Sequence, residues 1–274
     1  MPSYVGDSDF DHARPEGTAV LITNLGTPTA PTPRAVRRYL AEFLADPRVV
    51  ERPRWLWLPI LHGIILRVRP ARSARAYQKV WTDEGSPLLY HSLNQAQALE
   101  ATLRERGADV PVALAMRYGE PSIAEALRKF RGQGLGRLVV LPLYPQYSAT
   151  TTGSTFDALS QELRTWRRVP QLQFISGYYR HSSYIGALAA SIRRNWAESP
   201  KGERLLMSFH GLPQRYLQLG DPYYCQCHVT ARLLATELGL GEDDYAISFQ
   251  SRVGPEAWLE PYTDVLLEQW GREG

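Results

Sequence analysis

The sequence predicts an α/β protein built from two parallel-sheet domains, and three observations carry that expectation. Short apolar runs alternate with amphipathic segments along almost all 274 residues, the pattern of strands joined through helices. The apolar runs hold few polar residues, as strands buried on both faces do. The residue types that do chemistry recur just after those runs, where a parallel sheet gathers its loops along one edge.

The strand candidates are 18–23, 111–116, 137–143, 172–175, 204–209 and 245–249. Segment 34–45 places Val36, Tyr39, Leu40, Phe43 and Leu44 on one helical face, and 92–106 does the same with Leu93, Ala96, Leu99 and Leu103. Segments 122–131, 154–166, 182–196, 221–238 and 260–270 have the same character. Several open at serine, aspartate or proline and close near glycine, as helix ends prefer. Three strands fall on each side of Tyr147, which sets the expected division: a flexible tail at 1–17, an N-terminal α/β domain at 18–147 and a C-terminal one at 148–274. Two such halves facing each other make a cleft. The last helical segment runs into Gly271-Arg272-Glu273-Gly274. A second α/β half would add a strand there, so the C-terminal domain is expected to be truncated, short by at least a strand and a helix.

At 44% hydrophobic and 22% charged residues the chain can bury a sizeable core. A net charge of +3 with no basic stripe argues against nucleic acid as a partner. The two cysteines, Cys225 and Cys227, stand too close to staple a fold and point to a reducing cytoplasm. The first 17 residues are polar, with no apolar core of a secretory signal. The longest apolar stretch, 55–66, is too short to span a bilayer, which takes about 20 residues. Arg52 and Arg54 precede it, and Arg67, Arg69 and Arg72 follow. Tryptophans with basic flanks suit a membrane interface; a core helix with a polar collar is the other reading of the same pattern.

Asn24-Leu25-Gly26-Thr27-Pro28, Arg117-Tyr118-Gly119, Tyr144-Pro145-Gln146-Tyr147-Ser148, His210 and Gln250-Ser251-Arg252 each follow a strand candidate. On parallel sheets they converge on one cleft. Asp221-Pro222-Tyr223 reads as a helix start. Thr150-Thr151-Thr152-Gly153-Ser154 reads as a capped turn, since it lacks the lysine and glycine spacing of a phosphate loop. Cys225, Cys227 and His228 fall short of a four-ligand metal site.

Ser208-Phe209-His210-Gly211-Leu212-Pro213 puts an imidazole on a sharp turn at a strand's carboxyl end. After it come Gly220-Asp221-Pro222-Tyr223, then Gln250-Ser251-Arg252-Val253-Gly254-Pro255 with Trp258-Leu259. In this order and spacing the chain, from about residue 18 to its end, resembles ferrochelatase, bacterial type. The resemblance implies two Rossmann-like domains of chelatase type, an active-site cleft between them, and insertion of ferrous iron into protoporphyrin IX to finish protohaem. It implies that His210 contacts the metal or takes the pyrrole protons. Leu25 matches a side chain packed on the porphyrin face, Arg117 and Tyr118 an Arg-Tyr pair near the macrocycle, Gly85-Ser86-Pro87 a loop at its rim, and Trp258 a cleft-lining tryptophan. The segment 52–72 matches an apolar lip over the pocket mouth.

A flat macrocycle asks for an apolar, aromatic slot with a few polar anchors. Leu25, Tyr118, Tyr147 and Trp258 supply walls in this reading, and Ser86, Arg117 and Arg252 anchor propionates. Members of the family place a glutamate opposite the histidine, in a segment expected after Gly274; Glu256 and Glu260 do not match its position. No resident cofactor is expected, ferrous iron being a substrate, and two cysteines fall short of the four that hold an iron–sulfur cluster in some members. The expected partners are protoporphyrin and ferrous iron, with peripheral membrane contact through 55–66; the expected place is the cytoplasm, at the inner membrane. The competing readings are a non-catalytic porphyrin- or haem-binding protein and a related chelatase acting on a more reduced tetrapyrrole. A dinucleotide-binding protein lacks its Gly-x-Gly-x-x-Gly turn here. The natural porphyrin (protoporphyrin or coproporphyrin) and the oligomeric state stay open.

Overall fold

The computed structural model describes residues 4–6, 11–13, 15–199 and 202–273. The chain forms two compact units. The first takes the described residues through Tyr144 together with Ala149–Ser176, and the second takes Pro145–Ser148 and the residues from Gly177 onward.

The first unit runs β1 (Gly17–Gly26), α1 (Pro33–Ala45), α2 (Arg54–Ile60), a π-helical turn (Leu61–Ile65), α3 (Leu66–Val80), α4 (Pro87–Glu105), β2 (Val112–Tyr118), α5 (Ile123–Gly132) and β3 (Leu135–Pro142). A second π-helical turn (Ala149–Gly153) leads into α6 (Ser154–Leu163), and β4 (Gln171–Phe174) closes the unit. The strands make one parallel sheet in the order β2-β1-β3-β4. Its central strand β1 is buried from Ala19 through Thr23, which explains its apolar run. Leu21, Leu127, Leu138, Val140 and Leu159 pack as one core cluster, while Ile22, Leu114 and Met116 belong to another. The helix starts follow local chemistry. Thr32 accepts the Ala35 N–H ahead of Pro33 at the first position of α1, and Ser122 and Glu125 form a reciprocal capping box on α5.

The second unit runs α7 (Ser182–Glu198), β5 (Leu205–His210), α8 (Gln214–Gln218), α9 (Tyr223–Leu238), a short 3-10 turn (Glu242–Asp244), β6 (Tyr245–Gln250) and α10 (Thr263–Glu273). Among the described residues β5 and β6 form a two-stranded parallel sheet, with His210 opposite Gln250. Met207, Ala231, Leu234 and Ala235 pack beside Ala189 of α7 as its core.

All six expected strands form, and the α/β, parallel-sheet fold class holds. The division does not fall at Tyr147. Strand β4 pairs with β3, from Arg137↔Gln171 to Val140↔Phe174, so it joins the first sheet and carries α6 with it. The strands divide four and two, against the expected three and three. The expected flexible tail is tied down where it is described. The Val5 N–H donates to the Thr165 carbonyl at 2.8 Å, the Arg167 N–H donates back to Val5 at 3.0 Å, and Gly17 already opens β1. Residues 1–3, 7–10 and 14 of that segment lie outside the described residues. The expected capped turn at 150–154 is instead a π-helical turn that runs directly into α6. The apolar segment 55–66 lies in α2, the π-helical turn and the first residue of α3, which follow one another without a break; Pro59 and Pro70 are both accommodated.

Candidate active site

In the first unit the candidate residues gather at the carboxyl ends of β1 and β2. Both strands run further than their apolar cores suggest, so Leu25, Arg117 and Tyr118 lie within them. Gly26 pairs with Tyr118. Its φ is +111°, and a Cβ there would stand 1.9 Å from the Tyr118 carbonyl oxygen, so only glycine allows this approach. Leu25 is half-buried against the cluster of Tyr39, Leu40 and Tyr118.

At the end of β2 sits a buried polar network. The Asp46 side chain, 4% exposed, meets Arg117 Nη2 at 2.5 Å. The same carboxylate oxygen accepts from the Tyr118 hydroxyl at 2.8 Å and from Ser154 Oγ at 2.6 Å. Its other oxygen accepts the Arg48 N–H at 2.8 Å. Arg117 Nε donates to Ser154 Oγ at 2.6 Å, and the guanidinium lies 4.4 Å from the Tyr118 ring centre. Burial by itself pushes the Asp46 carboxyl toward its neutral form. Hydrogen bonds from Ser154, the Arg48 N–H and Tyr118, with the charge of Arg117, outweigh burial and hold it below the usual carboxylate range. Burial raises the Tyr118 phenol, which stays protonated and donating.

This geometry differs from the expected open wall at Tyr118 and open anchor at Arg117. Tyr118 is 0% exposed, and the Arg117 Nε and Nη2 are both committed to protein partners. Ser86 is buried at the N-cap of α4 with no side-chain cap bond, ahead of Pro87 and after Gly85 at φ +96°. The positive end of a 19-residue helix therefore lies at Ser86.

In the second unit His210 ends β5 and is exposed. Its Nδ1 lies 2.7 Å from the Gly211 carbonyl oxygen. A carbonyl only accepts, so Nδ1 carries a proton, which in a neutral imidazole leaves Nε2 as the nitrogen with the lone pair. Gly211 is required by space: a Cβ would meet the Gln250 carbonyl at 2.8 Å and the Trp258 ring at 3.3 Å. Trp258 is thereby held beside the turn that follows His210. Pro213 and Trp258 form an antiparallel bridge, the Leu259 N–H donates to the Leu212 carbonyl at 2.9 Å, and Trp258 Nε1 donates to the Val253 carbonyl at 3.0 Å. Tyr147 is half-buried, its N–H held by Gln226 Oε1 at 2.7 Å. Arg252, read as an anchor, instead pairs with Asp264 at 2.7 Å and lies 4.3 Å from the Tyr262 ring centre.

His210, Trp258 and Tyr147 thus belong to one unit, and Leu25, Ser86, Arg117 and Tyr118 to the other. Three residues that the sequence did not single out hold these sets in place. Asp46 reads only as a helix end before Pro47, Ser154 as part of a turn, and Gln226 as a helical position between two cysteines. Cys227 is buried and its thiol is pushed up to about 12 by burial, while Cys225 is exposed. Among the described residues no group of three or more histidine, cysteine or acidic side chains gathers as a metal site.

Parallel α/β units that carry polar and aromatic side chains at the carboxyl ends of their strands have the architecture of an α/β enzyme. The profile of the Ferrochelatase family matches residues 17–274. The chain is 57% identical over 272 residues to a ferrochelatase of Nitrosococcus oceani, covering 99% of this chain and 74% of that protein. It is 56% identical over 271 residues to a ferrochelatase of Thioalkalivibrio sulfidiphilus, covering 98% and 73%. It is 55% identical over 263 residues to "Ferrochelatase 2" of Shewanella oneidensis, covering 96% and 80%. The chain belongs to the ferrochelatase family.

Proposed function

We infer that this chain is a metal-inserting lyase of haem biosynthesis, placing ferrous iron in the porphyrin ring of protoporphyrin to give protohaem. Two pyrrole N–H bonds break, four iron–nitrogen bonds form (to the two deprotonated nitrogens and to the two that carried no proton), two protons leave, and the iron stays ferrous. The reaction as written needs no resident cofactor. The single observation that carries the assignment of His210 is the bond from its Nδ1 to the Gly211 carbonyl. It fixes the tautomer, so Nε2 takes a pyrrole proton or holds the incoming iron. Because the ring is exposed, an accepted proton passes on to water and the base resets.

Leu25, Tyr147 and Trp258 are the apolar walls against the porphyrin in this reading. Ser86 receives a propionate, favoured by its uncapped hydroxyl and the N-terminus of α4. Arg117 and Tyr118 act as support in this reading, since the Arg117 Nε and Nη2 and the Tyr118 hydroxyl bond to Ser154 and Asp46. The continuous helix from α2 through α3 rests on a membrane surface, supported by Trp55 at 80% exposed, Ile64 at 61% and Val68 at 72%, with Arg67, Arg69 and Arg72 exposed beside them. No helix among the described residues is long and apolar enough to cross a membrane.

The test is anaerobic incubation with ferrous iron and protoporphyrin, following loss of porphyrin fluorescence. Turnover is expected to fall by at least about a hundredfold in His210→Ala, with porphyrin binding retained. Unchanged iron insertion in that variant would remove His210 from the mechanism. Porphyrin binding without turnover by the unaltered chain would make it a carrier.

A further inference from the structure

The loop that carries Tyr147 is fastened to α9 one residue at a time. Gln146 Nε2 donates to Thr230 Oγ1 at 2.9 Å, the Tyr147 N–H donates to Gln226 Oε1 at 2.7 Å, and Ser148 Oγ donates to Asp221 Oδ2 at 3.0 Å. Gln226 and Thr230 are four residues apart in a helix and so share one face. Two of the three anchors are themselves held. Thr230 Oγ1 donates to the Tyr179 carbonyl at 2.9 Å, and Asp221 Oδ1 accepts the Tyr223 N–H at 3.0 Å as the helix begins. The chain at Gly177 closes over the same junction. A Cβ there would stand 3.2 Å from the Pro145 carbonyl oxygen and 3.8 Å from both Gln226 Oε1 and the Tyr147 nitrogen. The Tyr178 N–H then donates to that Pro145 carbonyl at 2.9 Å.

In this arrangement the backbone of Tyr147 is oriented by a side chain. A strand or helix would fix an amide by its own ladder; here the acceptor is one oxygen of Gln226 on another element. We propose that Gln226 is a positioning residue for porphyrin binding, setting the backbone of Tyr147 and through it the angle at which that ring meets the macrocycle. The proposal rests on the reading of Tyr147 as a porphyrin wall.

The test compares Gln226→Leu, Gln226→Glu, Tyr147→Ala and the double variant Tyr147→Ala/Gln226→Leu, all in the full chain. The readouts are KM for protoporphyrin, kcat, the Kd for protoporphyrin without iron, and thermal stability. Gln226→Leu keeps the side chain's bulk but removes the acceptor. Its KM and Kd are expected to rise about fivefold, with kcat within about twofold of the unaltered chain. Gln226→Glu restores an acceptor for the Tyr147 N–H and is expected to bring KM back. The double variant is expected to bind no worse than Tyr147→Ala, because the two changes act through one ring. If Tyr147→Ala weakens porphyrin binding and Gln226→Leu does not, the positioning role is overturned while the wall stands. Additive losses in the double variant overturn it too, as does a Gln226→Leu defect that follows lost stability and is not rescued by glutamate. If Tyr147→Ala leaves KM and Kd unchanged, the reading of Tyr147 as a wall fails, and the proposal with it.

Discussion

Asp46 shows how much one buried carboxylate can organise. It joins the end of α1 to the last residues of β2 and to the first residue of α6, using bonds that span 71 to 108 positions of sequence. Removing it would leave the half-buried Arg117 without its counter-charge and Tyr118 and Ser154 without their acceptor, so Asp46→Ala is expected to cost about 2–3 kcal/mol in urea unfolding. The pH dependence has a definite sign. The folded-state pKa of Asp46 is depressed, so its contribution is fully present above the ordinary carboxylate pKa of about 4 and is lost as pH falls through the folded value. Asp46→Asn is expected to be less stable near neutrality and to lose less further stability on acidification than the unaltered chain. Equal acid sensitivity of the two proteins would sink that account. None of this was legible in the sequence. An aspartate before Pro47 reads as a helix end because its partners, Arg117, Tyr118 and Ser154, are distant in sequence and carry no shared period. The same blindness made Arg117 look like a free anchor and Tyr118 like an open wall. By contrast His210 could be read directly, since an imidazole followed by glycine and a proline on a strand's end is a local pattern.

The strands and helices were largely readable because each buries a face, and burial writes a period of two or 3.6 into the residues that do it. Their extents were less so. β1 and β2 run on through Asn24, Leu25 and Gly26 and through Arg117 and Tyr118 because ladder bonds hold them, whatever their polarity. β4 has only four residues, alternating between exposed and half-buried, and such a strand does not say which sheet it joins. The π-helical turns at Leu61–Ile65 and Ala149–Gly153 also left no periodic trace. The pairing of β1 with β2 depends on Gly26. Gly26→Ala is expected to destabilise the first unit by at least about 2 kcal/mol, through both the positive φ and the clash with the Tyr118 carbonyl. A chemical denaturation midpoint unchanged by that substitution would mean that the strand ends separate at little cost.

For the molecule as a whole, the exposed apolar and arginine-bearing helix from α2 through α3 bears on where the reaction takes place. Sedimentation with vesicles containing anionic lipid is expected to carry the chain down, less so as salt rises, because the arginines act through screened charge. Trp55→Ala with Val68→Ala is expected to reduce that binding several-fold while leaving turnover with detergent-dispersed porphyrin in place. Vesicle binding unaffected by both salt and the two substitutions would remove the surface role. The Tyr147 loop carries a different lesson, about length. Surface connections commonly accept extra residues, which is why proteins drift and are engineered there. The stretch from Gln146 to Ser148 has no slack: three consecutive residues meet three fixed anchors on and just before one helix. One added residue would shift at least one of those pairings, so this short connection is as intolerant of insertion as a strand in the middle of a sheet.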